Sequence, residues 1–309
     1  MAAKALRTIT ERGPKEVGDM PFRRIAVPLD GSELAERALP FARSLAQLVG
    51  GNLILARVAD GRGRFGDRIE AQIEAAAEAE AYLERLMDGR RAGYVVERSL
   101  PYGDPATEIA RLAGEGRADL IVMSTHGRSG LGRALLGSVA DTLVRRTQLP
   151  LLLVRAGLPL DRWEHGLRRI LVPLDGSGLA EAALPRVAAL ARASGARVTL
   201  LQVVGPPAPE LRPSEVAGLP EDDEALAERA RRYLAGAAAR LSEQGVGVET
   251  EVTFGWPAER IGAAAAEGHA DLIAMSTHAR GGLDRLIVGS VADQVLRRAE
   301  VPVLLVRGV

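Results

Sequence analysis

Short apolar runs alternate along the chain with stretches whose apolar positions recur at helical spacing, so strands and helices are predicted in turn. Residues 24–29 form the first run, broken by Asp30-Gly31-Ser32. Leu34, Ala38, Phe41, Leu45 and Leu48 then lie on one helical face that ends at Gly50-Gly51, with Pro40 inside and predicted to kink it. A strand over 52–58, an Ala/Glu-rich helix over 68–87, a strand over 94–99, a helix over 105–113 and a strand over 119–123 follow. Residues 124–136 carry Gly127, Gly130 and Gly132 without apolar periodicity and read as a loop. A helix over 137–146 and a strand over 149–154 complete the set.

The whole pattern then returns. RIAVPLDGSELAERALP, starting at Arg24, reappears as RILVPLDGSGLAEAALP from Arg169, and about 24 of 38 positions are identical between 118–155 and 270–307. An internal duplication is the direct reading. It divides the chain into an aperiodic arm (1–22, expected flexible), a first domain (23–156), a linker (157–168) and a second domain (169–309). The copies differ in length mainly through a Pro-rich insert over 205–223, expected to form a longer loop or lid. Strand–helix alternation through five strands predicts an α/β fold: two repeated, doubly wound, five-stranded parallel sheets, each in the order 3-2-1-4-5. Such sheets bind ligands beyond the carboxyl ends of strands one and four, where the strand order reverses. Asp30 and the Ser124 loop stand at those ends in the first copy.

Composition narrows the partners. The 309 residues, 47% hydrophobic, suffice for two ordinary cores. Forty basic residues balance forty acidic ones, so no global field points to nucleic acid. Cysteine is absent, which excludes disulfides, thiolate catalysis and Cys-ligated metals. No apolar run approaches the length of a membrane span, and a cytoplasmic location is expected.

Candidate chemistry concentrates at the predicted crevices. Asp30 and Asp175 suit either a turn, as Asp-Gly-Ser often does, or a carboxylate that accepts hydrogen bonds from a ligand hydroxyl or holds a metal beside phosphates. Ser138 and Ser290 open Ser-Val-Ala-Asp, close to a capping box with Asp141 and Asp293. The preceding Gly137 and Gly289 favour phosphate instead, because the backbone can come close there and present the N–H groups of Ser138 and Val139 at a helix start. His126 and His278 lack a triad order or a metal-ligand spacing and read as loop hydrogen-bonding residues. Arg128 and Arg280 could screen phosphate charge or simply be solvated. No P-loop is present and the only lysines are Lys4 and Lys15, which argues against P-loop hydrolysis.

Both halves resemble the universal stress protein domain, and the chain resembles a tandem member of that family. The family's signature G-x2-G-x9-G-[ST] falls on Ser124, Gly127, Gly137 and Ser138, and on Ser276, Ala279, Gly289 and Ser290. The first glycine is serine in both copies, and the second is alanine in one. The resemblance implies a flavodoxin-like, adenine nucleotide alpha hydrolase-like fold that binds ATP with Mg2+ as a regulatory state and is not a dedicated enzyme. It implies that Asp30 and Asp175 contact ribose or a phosphate-bound metal, that Val58 and Val203 meet adenine, and that Val139 and Val291 offer N–H groups to phosphate. A slow ATPase or phosphotransferase, a nucleotide-independent oligomeric scaffold and an FMN carrier are the rival expectations. The fifth strands are near-continuously apolar although each lies at a sheet edge, so covering is expected; the resemblance suggests antiparallel pairing within the chain and leaves room for a homodimer.

Overall fold

A computed structural model describes residues 22–59, 68–87, 94–125, 137–205, 223–277 and 289–308. In the first half β1 (Arg24–Pro28) leads through α1 (Glu33–Glu36) and α2 (Leu39–Val49) to β2 (Asn52–Ala56). Then come α3 (Arg68–Met87), β3 (Val96–Ser99), α4 (Pro105–Gly114), β4 (Leu120–Thr125), α5 (Ser138–Arg146) and β5 (Leu151–Arg155). The second half repeats this as β6 (Arg169–Pro173), a tight helical turn (Ala180–Ala183), α6 (Leu184–Ser194), β7 (Arg197–Val204), α7 (Asp223–Ser242), β8 (Val248–Phe254), α8 (Pro257–Glu267), β9 (Leu272–Thr277), α9 (Ser290–Arg298) and β10 (Val303–Arg307).

The single kinked helix expected after β1 is instead two. The chain breaks at Arg37 and Ala38, and Pro40 falls in the first turn of α2, where its missing N–H removes no bond. Strand two stops at Ala56, which leaves Arg57 and Val58 on the loop beyond it.

All ten strands form one sheet in the order β3-β2-β1-β4-β5-β10-β9-β6-β7-β8. Each half thus has the expected order 3-2-1-4-5. Pairing is parallel within each half, and β5 and β10 pair antiparallel with Leu304 opposite Leu152. Those two leucines are 2% and 1% exposed. Helices cover both faces, so successive residues of one strand enter opposite cores: Leu120 and Val122 one, Ile121 and Met123 the other. Each core draws residues from both halves.

Three contacts lie outside what periodicity shows. Phe22, assigned to the arm from sequence, is buried with φ 65. In the linker, Trp163 is buried; its ring meets Phe41 edge-on at 5.3 Å and its Nε1 donates to the Asp271 carbonyl at 3.1 Å. Arg307 is 7% exposed and has no carboxylate partner among the described residues. Its guanidinium donates to the carbonyls of Val144 and of Thr147 (3.1 Å) at the C-terminal end of α5, and to Thr277 Oγ1 (2.7 Å). Arg155 reaches the other way, toward the Ala299 carbonyl at the end of α9. A cation suits the negative end of a helix dipole. Burial lowers the pKa of Arg307.

Candidate functional site

The residues singled out from sequence in the first half converge. A cleft of about 460 Å3 opens at the carboxyl ends of β1, β2 and β4, and Asp30, Val58, Ser124, Gly137, Ser138 and Val139 all line it. Its volume lies within the range of small-molecule sites. The cleft sits between β1 and β4, where the order reverses.

Asp30 serves the turn with one oxygen only. Its Oδ1 accepts from Ser32 N (2.9 Å) and Ser32 Oγ (2.6 Å), and the Ser32 hydroxyl in turn accepts from Ala35 N at 3.1 Å to cap α1. Oδ2 accepts no hydrogen bond among the described residues. The turn reading and the ligand reading therefore use different oxygens of one carboxylate. Asp175 repeats the geometry with Ser177 at 2.9 and 2.6 Å.

The capping box does not form. Gly137 is the N-cap of α5 and Ser138 is already the first helical residue; no side chain caps the helix. The Asp141 carboxylate turns to Arg145 at 2.9 and 3.1 Å, and Asp293 does the same with Arg297 at 2.7 and 3.1 Å. One turn separates each pair along the exposed face, where such ion pairs form readily. The first N–H groups of α5 consequently have no side-chain acceptor among the described residues, and the residues that carry them, at the positive end of the helix dipole, line the cleft. Gly137 has φ 79 and ψ 151, backbone territory that is essentially glycine's alone.

In the second half Asp175 follows β6, Val203 lies within β7, Ser276 lies in β9, and Gly289, Ser290 and Val291 start α9. Two details differ. The Ser276 hydroxyl donates to the Ala180 carbonyl at 3.1 Å, and Gly289 has φ −56. Gly127, Arg128, Ala279, Arg280, His126 and His278 lie outside the described residues, as do 206–222 of the Pro-rich insert.

Sequence reasoning missed the aromatic support behind the cleft. Tyr82 of α3 is buried, and burial, with the Glu36 carboxylate adding to it, raises the pKa of its phenol. Tyr233 stands in the same relation to Glu181. The signal was present as Tyr-Leu in the matching helices of both copies. Arg57 was missed as well: its guanidinium lies 4.8 Å from the centre of the Tyr82 ring and lines the cleft.

Among the described residues no group of three or more His, Cys, Asp or Glu is placed to hold a metal, and no helix is long and apolar enough to cross a membrane.

Comparison with known proteins adds an independent line. The universal stress protein family model matches residues 21–155 and again 166–307. A universal stress protein of Mycobacterium tuberculosis is 32% identical over 215 residues, covering 69% of each chain. One from Thermus aquaticus is 36% identical over 140 residues, covering 43% of this chain and 99% of its own. The crystal structure of a universal stress protein from Archaeoglobus fulgidus superposes with a TM-score of 0.70 over 92% of this chain and 98% of its own, at 23% identity, a likeness of fold.

Proposed function

We propose that this chain, which belongs to the universal stress protein family, binds ATP and uses occupancy as a regulatory state in the cytoplasm. The observation that carries the reading is the convergence of Asp30, Val58, Ser124, Gly137, Ser138 and Val139 on one cleft beside an uncapped helix start. The α5 N–H groups and dipole suit a phosphate. Oδ2 of Asp30 suits a ribose hydroxyl or a cation. The close backbone at Val58 suits the edge of a base. Mg2+ is commonly held by one or two carboxylates together with phosphate oxygens, and the two cleft carboxylates, Asp30 and Glu78, fit a cation that arrives with the nucleotide better than a cage made by the protein. When bound, that cation would neutralise phosphate charge.

We assign the cleft a binding role with no dedicated reaction. Metal-dependent turnover above the level of a cleft variant would replace this with a slow ATPase. The pairing of β5 with β10 is, in this reading, how the two domains pair within one chain; the burial of Leu152 and Leu304 supports it.

The test begins with mass spectrometry of small molecules released from freshly purified, denatured protein, where an adenine nucleotide is expected. Gly137→Glu and Gly289→Glu each place a carboxylate and bulk at a helix start, and each is expected to lower ATP affinity at its own half at least 100-fold with circular dichroism unchanged. Unaltered ATP affinity in the double variant would show that the ligand lies elsewhere.

A further inference from the structure

The two halves differ in one charged residue behind the aspartate turn. In the first, Arg57 leaves β2 and lays its guanidinium between the Tyr82 ring and the backbone of Gly31. A Cβ at Gly31 would come within 3.3 Å of Arg57 Nη1, so the glycine, at φ 90, leaves the room the guanidinium fills. The Arg57 backbone N–H donates to the Ser99 carbonyl at 3.0 Å, but among the described residues its guanidinium makes no ion pair and no hydrogen bond. It is half-buried and lines the cleft together with two carboxylates, Asp30 and Glu78. The aromatic face and the glycine backbone hold it in place without neutralising it, which leaves its charge directed at whatever the cleft contains. In the second half the matching residue is Gln202. Its Oε1 is buried without a hydrogen-bond partner among the described residues, and its Nε2 lies 3.9 Å from where a Cβ on Gly176 would be. Asp175 there has no guanidinium in the matching place to offset it.

We propose that Arg57 is a specificity-determining residue that makes the first cleft select ligands by negative charge, favouring nucleoside polyphosphates over the neutral nucleoside, and that Gln202 leaves the second half without this selection. The proposal rests on the nucleotide reading of the cleft. A carboxylate-lined cleft repels a polyanion, and one guanidinium within a few ångströms offsets that repulsion while doing little for an uncharged ligand. Affinity differences of about tenfold are of the size that one partly screened charge produces.

The experiment uses the full chain with Gly289→Glu, which confines binding to the first half, and titrates adenosine, AMP and ATP by calorimetry in the presence of Mg2+. Arg57→Gln is expected to weaken ATP about tenfold and adenosine less than twofold, with the ATP loss shrinking at high salt. Arg57→Lys keeps the charge and is expected to retain most of the preference. In the converse Gly137→Glu background, Gln202→Arg is expected to strengthen ATP at the second half and leave adenosine unchanged. Equal weakening of adenosine and ATP by Arg57→Gln would show that Arg57 only packs, and no change would show that it has no part; either overturns the proposal while leaving the nucleotide reading intact. A parent chain that binds none of the three ligands overturns the nucleotide reading itself and this inference with it.

Discussion

Gly-Ser-Val-Ala-Asp opens the last helix of each half, yet Gly137 sits at φ 79 and Gly289 at φ −56. The same five residues therefore start their helices with differently turned backbones. At the cleft Arg57 stands against Gln202, and in the core Phe41 stands against Arg186, while the strand order and the Asp-Ser turns are kept. The duplication preserved the frame that creates a crevice and varied what lines it. A frame depends on burial spread over many residues, whereas a site depends on a few atoms, so the second can drift while the first holds.

The sharpest way to break this comparison is to remove what the halves do not share. Trp163 packs its ring on Phe41 of the first half, where the second half has Arg186, while its Nε1 holds the Asp271 carbonyl of the second half by a single hydrogen bond. Trp163→Ala is expected to cost about 3–5 kcal/mol, the range for truncating a buried large aromatic side chain. Denaturant unfolding followed by hydrogen exchange should show the loss falling first on residues 22–155. An equal loss in both halves would mean that the linker supports them alike. Smaller, and specific to the backbone difference, is the pair Gly137→Ala and Gly289→Ala. The first forces an L residue into a glycine-only region at about 1–2 kcal/mol, and the second is expected to stay within about 0.5 kcal/mol. Thermal unfolding of the two variants checks this, and equal shifts would show that the two helix starts are alike in solution.

Smallest is a pH effect at Asp119. Asp119 accepts from Arg23 N (2.7 Å) and Arg24 N (3.0 Å), but burial outweighs these donors and raises its pKa above the ordinary 3.8. The folded state then holds the proton more tightly than the unfolded state. Stability attributable to this group is therefore greatest below 3.8 and falls as pH rises through the folded value. Asp119→Asn should remove that slope, and Asp271→Asn should leave it in place, as read from denaturation midpoints between pH 3 and 6.

The fold was legible in the sequence because its determinants are local and repeated. Apolar runs such as 24–29 and 119–123 read as strands on their own, and the duplication verified each element twice. The crevice followed from topology, and with it Asp30 and Ser124; Gly137, Ser138 and Val139 came from the helix-start motif, and Val58 from the family resemblance alone. Arg57 was not legible: its meaning depends on Tyr82 in a helix across the cleft and on β2 ending at Ala56, a boundary that periodicity placed two residues later. The break before α2 was hidden because Pro40 suits a first helical turn as well as a kink. Trp163 and Arg307 were hidden for another reason. Each contacts residues more than a hundred positions away, and nothing in its own neighbourhood distinguishes a docked tryptophan from a linker residue or a buried arginine from the charged end of a strand. Whether the backbone at Gly127 and Ala279 distinguishes the two sites, as their sequence difference suggests, falls outside the described residues.

The junction of β5 and β10 bears on how far the sheet can grow. Its two strands come from copies of one unit and meet edge to edge in antiparallel register, so the contact is isologous and closes on itself without generating a next one. What remains at the outer rims are β3, Val-Glu-Arg-Ser, and β8, Val-Glu-Thr-Glu-Val-Thr-Phe, which carry Glu97, Arg98, Glu249 and Glu251. An eleventh strand would have to align beside those charges. By fusing the two copies, the chain spends its stickiest edge internally and presents its most repellent ones outward, so that a sheet of ten strands terminates where a single copy, with Leu151 to Leu153 uncovered, would seek a mate.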